Sequence, residues 1–332
     1  MSKHLSEEEA NELSESARVY SFGSYRMGVN GPNADLDTVC VVPNKISRED
    51  FFASMAERLR SRNDVKEFSA VPDAFAPVIK MEIRGIDVDM LFCQLAATVI
   101  PSNLDLFDDA ILNGLDEKSA RAINGVRVAD NVLRFVPNAD NFRNALRFLK
   151  YWATQRGIYG NALGFLAGVT LAILVARVCQ LYPNALPVTL VSKFFLFYHK
   201  YWKWPAPIEL CKTQYGGLMH ELVWNPNHFL SKRDLMPIIT PCYPAQNSTY
   251  NISLSTKRLI LGTSSPSSSP SSSPFSSPSS SPPPLPSPLL PPLPPPPLPP
   301  PLPPLLPPHP LRFGVLSFVV GFSDACLCLI DR

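Results

Sequence analysis

Apolar and polar residues alternate in two consecutive stretches, 78–83 and 86–92, and alternation is the period of a β-strand. The pair Arg84-Gly85 interrupts the pattern between them, so the two stretches predict a β-hairpin. The apolar row of the second stretch consists of Ile86, Val88, Met90 and Phe92. Asp87 and Asp89 lie on the opposite face, where carboxylates are unusual in a strand.

Another strand is predicted from about residue 35 to 41, after a short strand over 18–22 and a turn at Gly23. Asp35 and Asp37 share one face of it, and neighbouring carboxylates are costly unless they lie in a turn, at a surface or beside a bound cation. If this strand neighbours the second arm of the hairpin, a third carboxylate completes a three-acid site. Such a site can hold two Mg²⁺ ions, but a pair of ordinary turn acids is the alternative.

The turn between these two predicted strands is Phe22-Gly23-Ser24. Glycine allows the backbone to approach a phosphate closely, and amides near a helix start, together with the Ser24 hydroxyl, can hold phosphate oxygens. A phosphate-binding turn beside paired carboxylates indicates a nucleotide bound with Mg²⁺.

The helical period of 3.6 residues appears in several longer segments. The predicted helices are 46–59 with Ser47 as N-cap, 142–152 capped by Asp140-Asn141 and ending at Gly157, 162–181, and 190–201. The 162–181 segment is apolar enough to raise the question of a membrane span. Polar residues interrupt it, so we expect a buried core helix and no membrane partner.

Composition divides the 332-residue chain unevenly, because most of its 37 prolines lie between residues 266 and 310. This stretch is low in complexity, and globular structure is expected to end near Gly262. The net charge of +2 neither requires nor excludes nucleic acid. The seven cysteines show no zinc-finger spacing, which is typical of reduced thiols in an intracellular protein.

A series of motifs follows in unbroken order between about Val19 and Lys257. They are Phe22-Gly23-Ser24-Tyr25-Arg26-Met27-Gly28-Val29, 34–37, 77–80, 85–92, 124–128, 149–153, 158–161, 163–169, 179–184, 235–241 and 246–251. Together these motifs resemble the eukaryotic nuclear poly(A) polymerases, which belong to the DNA polymerase β-like nucleotidyltransferases.

The resemblance implies an α+β fold, in which a nucleotidyltransferase palm domain of mixed β-sheet and helices precedes a mainly helical central domain. The expected parts are a leader over 1–18, the catalytic palm over 19–100, an incomplete central domain over 101–262, a disordered Ser/Pro-rich tail over 263–312 and a hydrophobic C-terminus over 313–332. We expect the RNA-binding domain of the family to be absent from this chain.

The resemblance also implies an enzyme, a polynucleotide adenylyltransferase that adds adenylate from ATP to RNA 3′ ends without a template and releases pyrophosphate. It makes Asp35, Asp37 and Asp89 the catalytic acids and the ligands of two Mg²⁺ or Mn²⁺ ions, one lowering the pKa of the RNA 3′-hydroxyl and the other steadying the triphosphate. The residues implied to contact ATP are Phe22, Gly23, Ser24, Asn124, Lys150, Tyr159, Gly168 and Val169. RNA, ATP and cleavage and polyadenylation factors are the expected partners, in the nucleus.

Several of these residues also have ordinary structural interpretations. Lys150 is typical of a solvated helix lysine, Tyr159 of a residue at the border of a core, and Gly168 and Val169 of helix packing. Two functional alternatives accompany the main expectation. One is a catalytically crippled fragment that binds nucleotide or a processing partner, and the other is a terminal uridylyltransferase.

Overall fold

The computed structural model describes residues 17–32, 34–101 and 103–263. The predicted tail and hydrophobic C-terminus lie outside the described residues from position 264 on, as does the predicted leader up to position 16. The described chain comprises a mixed β-sheet followed by a mainly helical part, as the α+β expectation required.

Five strands form one sheet. They are β1 (Arg18–Ser21), β2 (Leu36–Val42), β3 (Val65–Val71), β4 (Val78–Ile83) and β5 (Ile86–Gln94). Their order across the sheet is β1-β2-β5-β4-β3, with β2 and β5 parallel and every other neighbouring pair antiparallel. The predicted hairpin is therefore confirmed as β4 and β5, and the aspartate strand does neighbour its second arm.

The sequence did not predict β3, the strand at one edge of the sheet. Its exposed and half-buried positions do not alternate cleanly, and it carries Lys66 and Glu67 in succession. An edge strand pairs on one side only and tolerates polar residues on both faces, so it lacks the alternation by which strands are recognised.

Each face of the sheet buries a separate apolar row. On one face, residues of β2, β4 and β5 such as Met81 and Met90 pack against Phe51 and Met55 of the first long helical segment. This segment, α2, consists of Arg48–Asp50, a π-helical Phe51–Met55 and Ala56–Arg60. Ser47 caps it as predicted, accepting a hydrogen bond from the Asp50 amide.

The opposite face of the sheet carries Val39, Val41 and Cys93, which pack against Ile123 and Val126. These two residues belong to α3 (Glu117–Arg134), which follows the short helix α1 (Gly23–Arg26) and α2 in chain order. One face of β2 thus changes along its length from the carboxylate of Asp37 to valines buried under α3.

The helical part consists of α4 (Ala139–Gln155), α5 (Gly168–Leu181), α6 (Pro187–Leu196), which continues as a π-helix over Phe197–Tyr201, and α7 (Leu254–Thr263). The predicted stripe of α4 is buried at Phe142, Ala145, Leu146 and Leu149. No described helix combines the length and the apolar character that a membrane crossing requires.

Three predicted helix starts were wrong, among them that of the 190–201 helix, which begins at Pro187 as α6. Helix α4 is capped by Asn138 and not by Asp140-Asn141, because the Asn138 side chain accepts the hydrogen bond from the Asn141 amide at 2.9 Å. The predicted 162–181 helix begins only at Gly168. Before it the chain folds back on itself, since the Gly160 amide donates to the Leu166 carbonyl at 2.9 Å.

Candidate functional site

Three carboxylates meet where β2 and β5 begin. Asp37 and Asp89 are direct partners in the parallel β2–β5 register, and Asp35 lies just before β2. One carboxylate oxygen from each of the three lies within 4.8 Å of those of the other two. Asp87, the alternative on the same strand, is exposed and pairs with Glu82 of β4. The strand register therefore brings Asp89 rather than Asp87 to the other two acids.

The electrostatics of this cluster favour a cation. The pKa of Asp37 is raised to about 7, first by burial and then by the charges of Asp35 and Asp89, while Lys80 and Lys150 act in the opposite direction. Like charges this close disfavour full ionisation in the absence of a counter-charge. Carboxylate oxygens are also the ligands that Mg²⁺ prefers, so the donor set fits a divalent hard cation.

Lys80 is a residue of this site that the sequence reasoning did not assign. It faces Asp89 in the antiparallel β4–β5 register, and its Nζ donates to the Asp89 carboxylate. Its position was recoverable, because Lys80 lies four residues before Arg84 and Asp89 lies four residues after Gly85. Residues placed symmetrically about a two-residue hairpin turn face each other across the two strands.

The glycine turn lies directly against the aspartate strand. The Phe22 amide donates to the Asp37 carbonyl at 2.9 Å, and Gly23 has a φ of +61°. A side-chain carbon at Gly23 would overlap Asp37 Oδ2 and lie 3.0 Å from Asp37 Cγ. Glycine is thus required twice at this position, for its backbone conformation and for the close approach of the carboxylate.

Two predicted nucleotide contacts, Phe22 and Asn124, lie at the junction between the sheet and α3. A side-chain carbon at Gly125 would lie 2.8 Å from the Phe22 ring, so the ring is packed on the backbone of α3. Asn124 is 8% exposed, and its Oδ1 accepts a hydrogen bond from Arg127 at 3.2 Å.

Arg127 is almost fully buried, at 1% exposure. Its guanidinium donates to the Leu106 carbonyl at 2.8 Å and also to the Tyr243 carbonyl and the Asp109 carboxylate. It thereby joins three segments that are distant in sequence and orients Asn124. Nothing in its local sequence distinguishes it from a solvated helix arginine, although it lies in one of the motifs that carry the resemblance.

Lys150 and Tyr159 come from the helical part and face the same acids. Burial lowers the pKa of Lys150, while the charges of Asp35 and Asp37 act in the opposite direction. Burial also raises the pKa of Tyr159, and the same two aspartates add to that rise. Both side chains are therefore half-buried and within electrostatic reach of the carboxylate cluster.

Gly168 and Val169 open helix α5. A side-chain carbon at Gly168 would lie 3.0 Å from the Tyr159 hydroxyl, so this glycine adjoins Tyr159. Val169 is half-buried and packs against the helical core, which is also its ordinary structural interpretation.

Comparison with known proteins yields two family models in succession. The model described as the poly(A) polymerase nucleotidyltransferase domain matches residues 1–136, and the model described as the poly(A) polymerase central domain matches residues 141–268. The boundary that the sequence predicts between the catalytic palm and the central domain, near residue 100, stays a prediction.

Two curated relatives and one solved structure illustrate the similarity. The chain is 52% identical over 245 residues to a poly(A) polymerase of Dictyostelium discoideum, an alignment that covers 74% of this chain and 30% of the relative. It is 48% identical over 250 residues to nuclear poly(A) polymerase 1 of Arabidopsis thaliana, covering 74% of this chain and 34% of the relative. The chain thus spans about a third of the length of these relatives.

The solved structure is that of the Cid1 poly(U) polymerase with MgGTP bound. It superposes with a TM-score of 0.54 at 14% identity and covers 78% of this chain and 87% of the Cid1 chain. At this identity the likeness concerns the fold, and it agrees with a mixed sheet followed by helices.

Proposed function

The chain belongs to the poly(A) polymerase family, and we propose that it transfers adenylate from ATP to RNA 3′ ends. The observation that carries this proposal is the meeting of Asp35, Asp37 and Asp89 directly beside the Gly23 turn. Acids that can hold Mg²⁺ and a turn that can receive phosphate are two of the parts that nucleotidyl transfer requires.

In the proposed reaction the RNA 3′-oxygen forms a bond to the α-phosphorus of ATP. The bond between that phosphorus and the oxygen bridging it to the β-phosphorus breaks, pyrophosphate leaves, and the hydroxyl proton passes to solvent. The RNA becomes one adenylate longer. Catalysis of this type depends mainly on positioning and charge neutralisation.

We propose Asp35, Asp37 and Asp89 as the residues that would hold two Mg²⁺ or Mn²⁺ ions. The chemistry that such ions supply when bound is a lower pKa for the attacking hydroxyl and neutralisation of charge on the triphosphate. The raised pKa of Asp37 supports this assignment, because a cation at the centre of the cluster would offset the repulsion among the three carboxylates.

The remaining residues are proposed to hold ATP around this cluster. Ser24, Lys150 and Tyr159 supply donors for the triphosphate, with the backbone of Gly23 allowing its close approach. Phe22 belongs to the same turn, and the residues proposed beside the adenosine are Asn124, Gly168 and Val169. Lys150 supports this arrangement because it is half-buried within electrostatic reach of Asp35 and Asp37, where the cations and the triphosphate bound to them would lie.

We further propose that the chain acts in the nucleus on messenger RNA, with cleavage and polyadenylation factors as partners. The nuclear name of the Arabidopsis relative supports this location. A uridylyltransferase activity is the second candidate, because the fold is shared with a poly(U) polymerase.

Primer extension tests the proposal. The chain is incubated with an RNA oligonucleotide, Mg²⁺ and either ATP or UTP. An Asp37→Ala variant is assayed in parallel, and Asp87→Ala is the control because it removes an exposed acid from β5, the strand that carries Asp89. We expect extension with ATP in the wild type and the control, and a loss of at least about 100-fold in Asp37→Ala.

Extension with UTP in preference to ATP would identify the second candidate instead. No extension with either nucleotide, at any RNA concentration, would contradict the proposal and favour a fragment that only binds nucleotide.

A further inference from the structure

Three cationic side chains on one face of α4 donate to three successive backbone carbonyls of the chain that follows α1. The bonds run from Arg143 Nε to the Met27 carbonyl at 3.0 Å, from Arg147 Nη2 to the Gly28 carbonyl at 2.5 Å, and from Lys150 Nζ to the Val29 carbonyl at 3.3 Å. Spacings of four and three residues keep these donors on one side of the helix. Helix α4 thus holds the carbonyl groups of Met27, Gly28 and Val29, which form the carbonyl row.

The same segment is also held by α3, at Arg26. Arg26 forms a two-pronged ion pair with Asp130, with an Nη2–Oδ2 distance of 2.7 Å. Gly28 has a φ of +70°, and a side-chain carbon there would lie 3.2 Å from Arg143 Nε. Glycine at this position therefore lets the α4 arginine reach the backbone.

Backbone hydrogen bonds connect the carbonyl row to the proposed phosphate turn. The Val29 amide donates to the Ser24 carbonyl at 2.9 Å, and the Met27 amide donates to the Gly23 carbonyl at 3.3 Å. A shift of the carbonyl row is therefore passed directly to Gly23 and Ser24. In this way the position of α4 sets the position of the turn.

We propose that Arg147 is a positioning residue for the nucleotide site, holding the Gly23–Val29 turn on α4 so that the turn and Lys150 face one triphosphate. The inference rests on the proposed function. Lys150 is bonded to the Val29 carbonyl, and its ammonium has two further N–H donors with which to reach a phosphate. Arg147 and Arg143 hold the carbonyl row on the helix beside it.

Arg147 is the informative residue for a test because it is exposed and its side chain is not part of the helical core. Arg147→Met keeps the apolar stem and removes the donors, whereas Arg147→Lys restores a cation of shorter reach. Arg156→Met is the matched control. Arg156 is an exposed arginine directly after α4, so this substitution removes the same charge from a nearby position.

ATP binding is measured calorimetrically with Mg²⁺ and without RNA, and the KM for ATP and kcat are measured by primer extension. Because a charge-assisted hydrogen bond is lost, we expect Arg147→Met to weaken ATP binding and raise KM by about five- to tenfold. We expect kcat to change by less than about threefold, because Arg147 does not touch the reacting atoms. Arg147→Lys should recover most of the affinity, and Arg156→Met should match the wild type.

Three results would overturn the inference: ATP affinity of Arg147→Met within twofold of the wild type, an equal loss in Arg156→Met, or a loss accompanied by a marked fall in Tm. Binding is independent of RNA extension, so the two proposals fail separately. A chain that binds ATP without extending RNA fails only the proposed function, whereas equal binding by Arg147→Met in an active chain fails only the inference.

Discussion

The contact between Gly23 and Asp37 offers the sharpest test of the site, through a Gly23→Ala substitution. The added methyl group would lie 3.0 Å from Asp37 Cγ and 3.4 Å from Asp37 Cβ, and it would overlap Oδ2. Asp37 is anchored by the β2–β5 register, so its backbone cannot retreat. Its carboxylate can only turn away, and turning removes it from Asp35 and Asp89.

The expected magnitudes separate function from stability. Relief of the overlap requires the carboxylate oxygen to move by more than about 1 Å, since the added carbon would lie 2.1 Å from Oδ2 and non-bonded heavy atoms rest at roughly 3.5 Å. A displacement of about 1 Å in a catalytic group costs roughly 100-fold in rate. The left-handed conformation at Gly23 adds about 1–2 kcal/mol of strain, which corresponds to a fall of about 2–8 °C in Tm.

Three measurements check this prediction: initial rates of primer extension, Mn²⁺ affinity by electron paramagnetic resonance without nucleotide, and thermal denaturation. Gly31→Ala is the control, because a side-chain carbon at Gly31 meets no heavy atom within 4 Å. We expect Gly23→Ala to lose rate and Mn²⁺ affinity while staying folded. Wild-type Mn²⁺ affinity together with a rate within threefold of the wild type would refute the reasoning.

Three further predictions concern charged side chains of the sheet and of α3. Arg127→Met should lower stability by about 3–5 kcal/mol, or about 6–20 °C in Tm, because buried acceptors lose their donor; a change under 2 °C in thermal denaturation would contradict this. Lys80→Met should tighten Mn²⁺ binding by about two- to fivefold, since Lys80 neutralises Asp89, and titration calorimetry that shows weaker binding would argue against it. At Asp116, burial raises the pKa of the carboxyl, but hydrogen bonds from Ser119 and Arg48 hold it below its ordinary value. We therefore expect the Tm of the wild type to exceed that of Asp116→Asn by a constant amount above about pH 4 and by less below it. A Tm difference that does not change with pH would rule out the Arg48–Asp116 ion pair as its source.

Local patterns were sufficient for the elements nearest the site. The hairpin, the aspartate strand and the buried stripe of α4 follow from periods of 2 and 3.6 residues, which depend only on neighbours along the chain. Edge strand β3 was not predicted because its polar residues hide the period, and no bounds were predicted for α3. The start of α5 was misplaced because apolar residues before Gly168 continue the composition of a helix through a folded-back loop.

The sequence by itself determined which groups the site contains: paired carboxylates at a strand start, a glycine turn before them, and a further row of acids in a hairpin. Only the tertiary structure decided that β5 lies beside β2, which brings Asp89 and its neighbour Lys80 to Asp37, and that Arg147 reaches the Gly28 carbonyl. The register between β2 and β5 depends on how both faces of the sheet are buried, by α2 on one side and α3 on the other. Alternation along a strand selects a face, but packing between segments distant in the chain selects which residues on that face become neighbours.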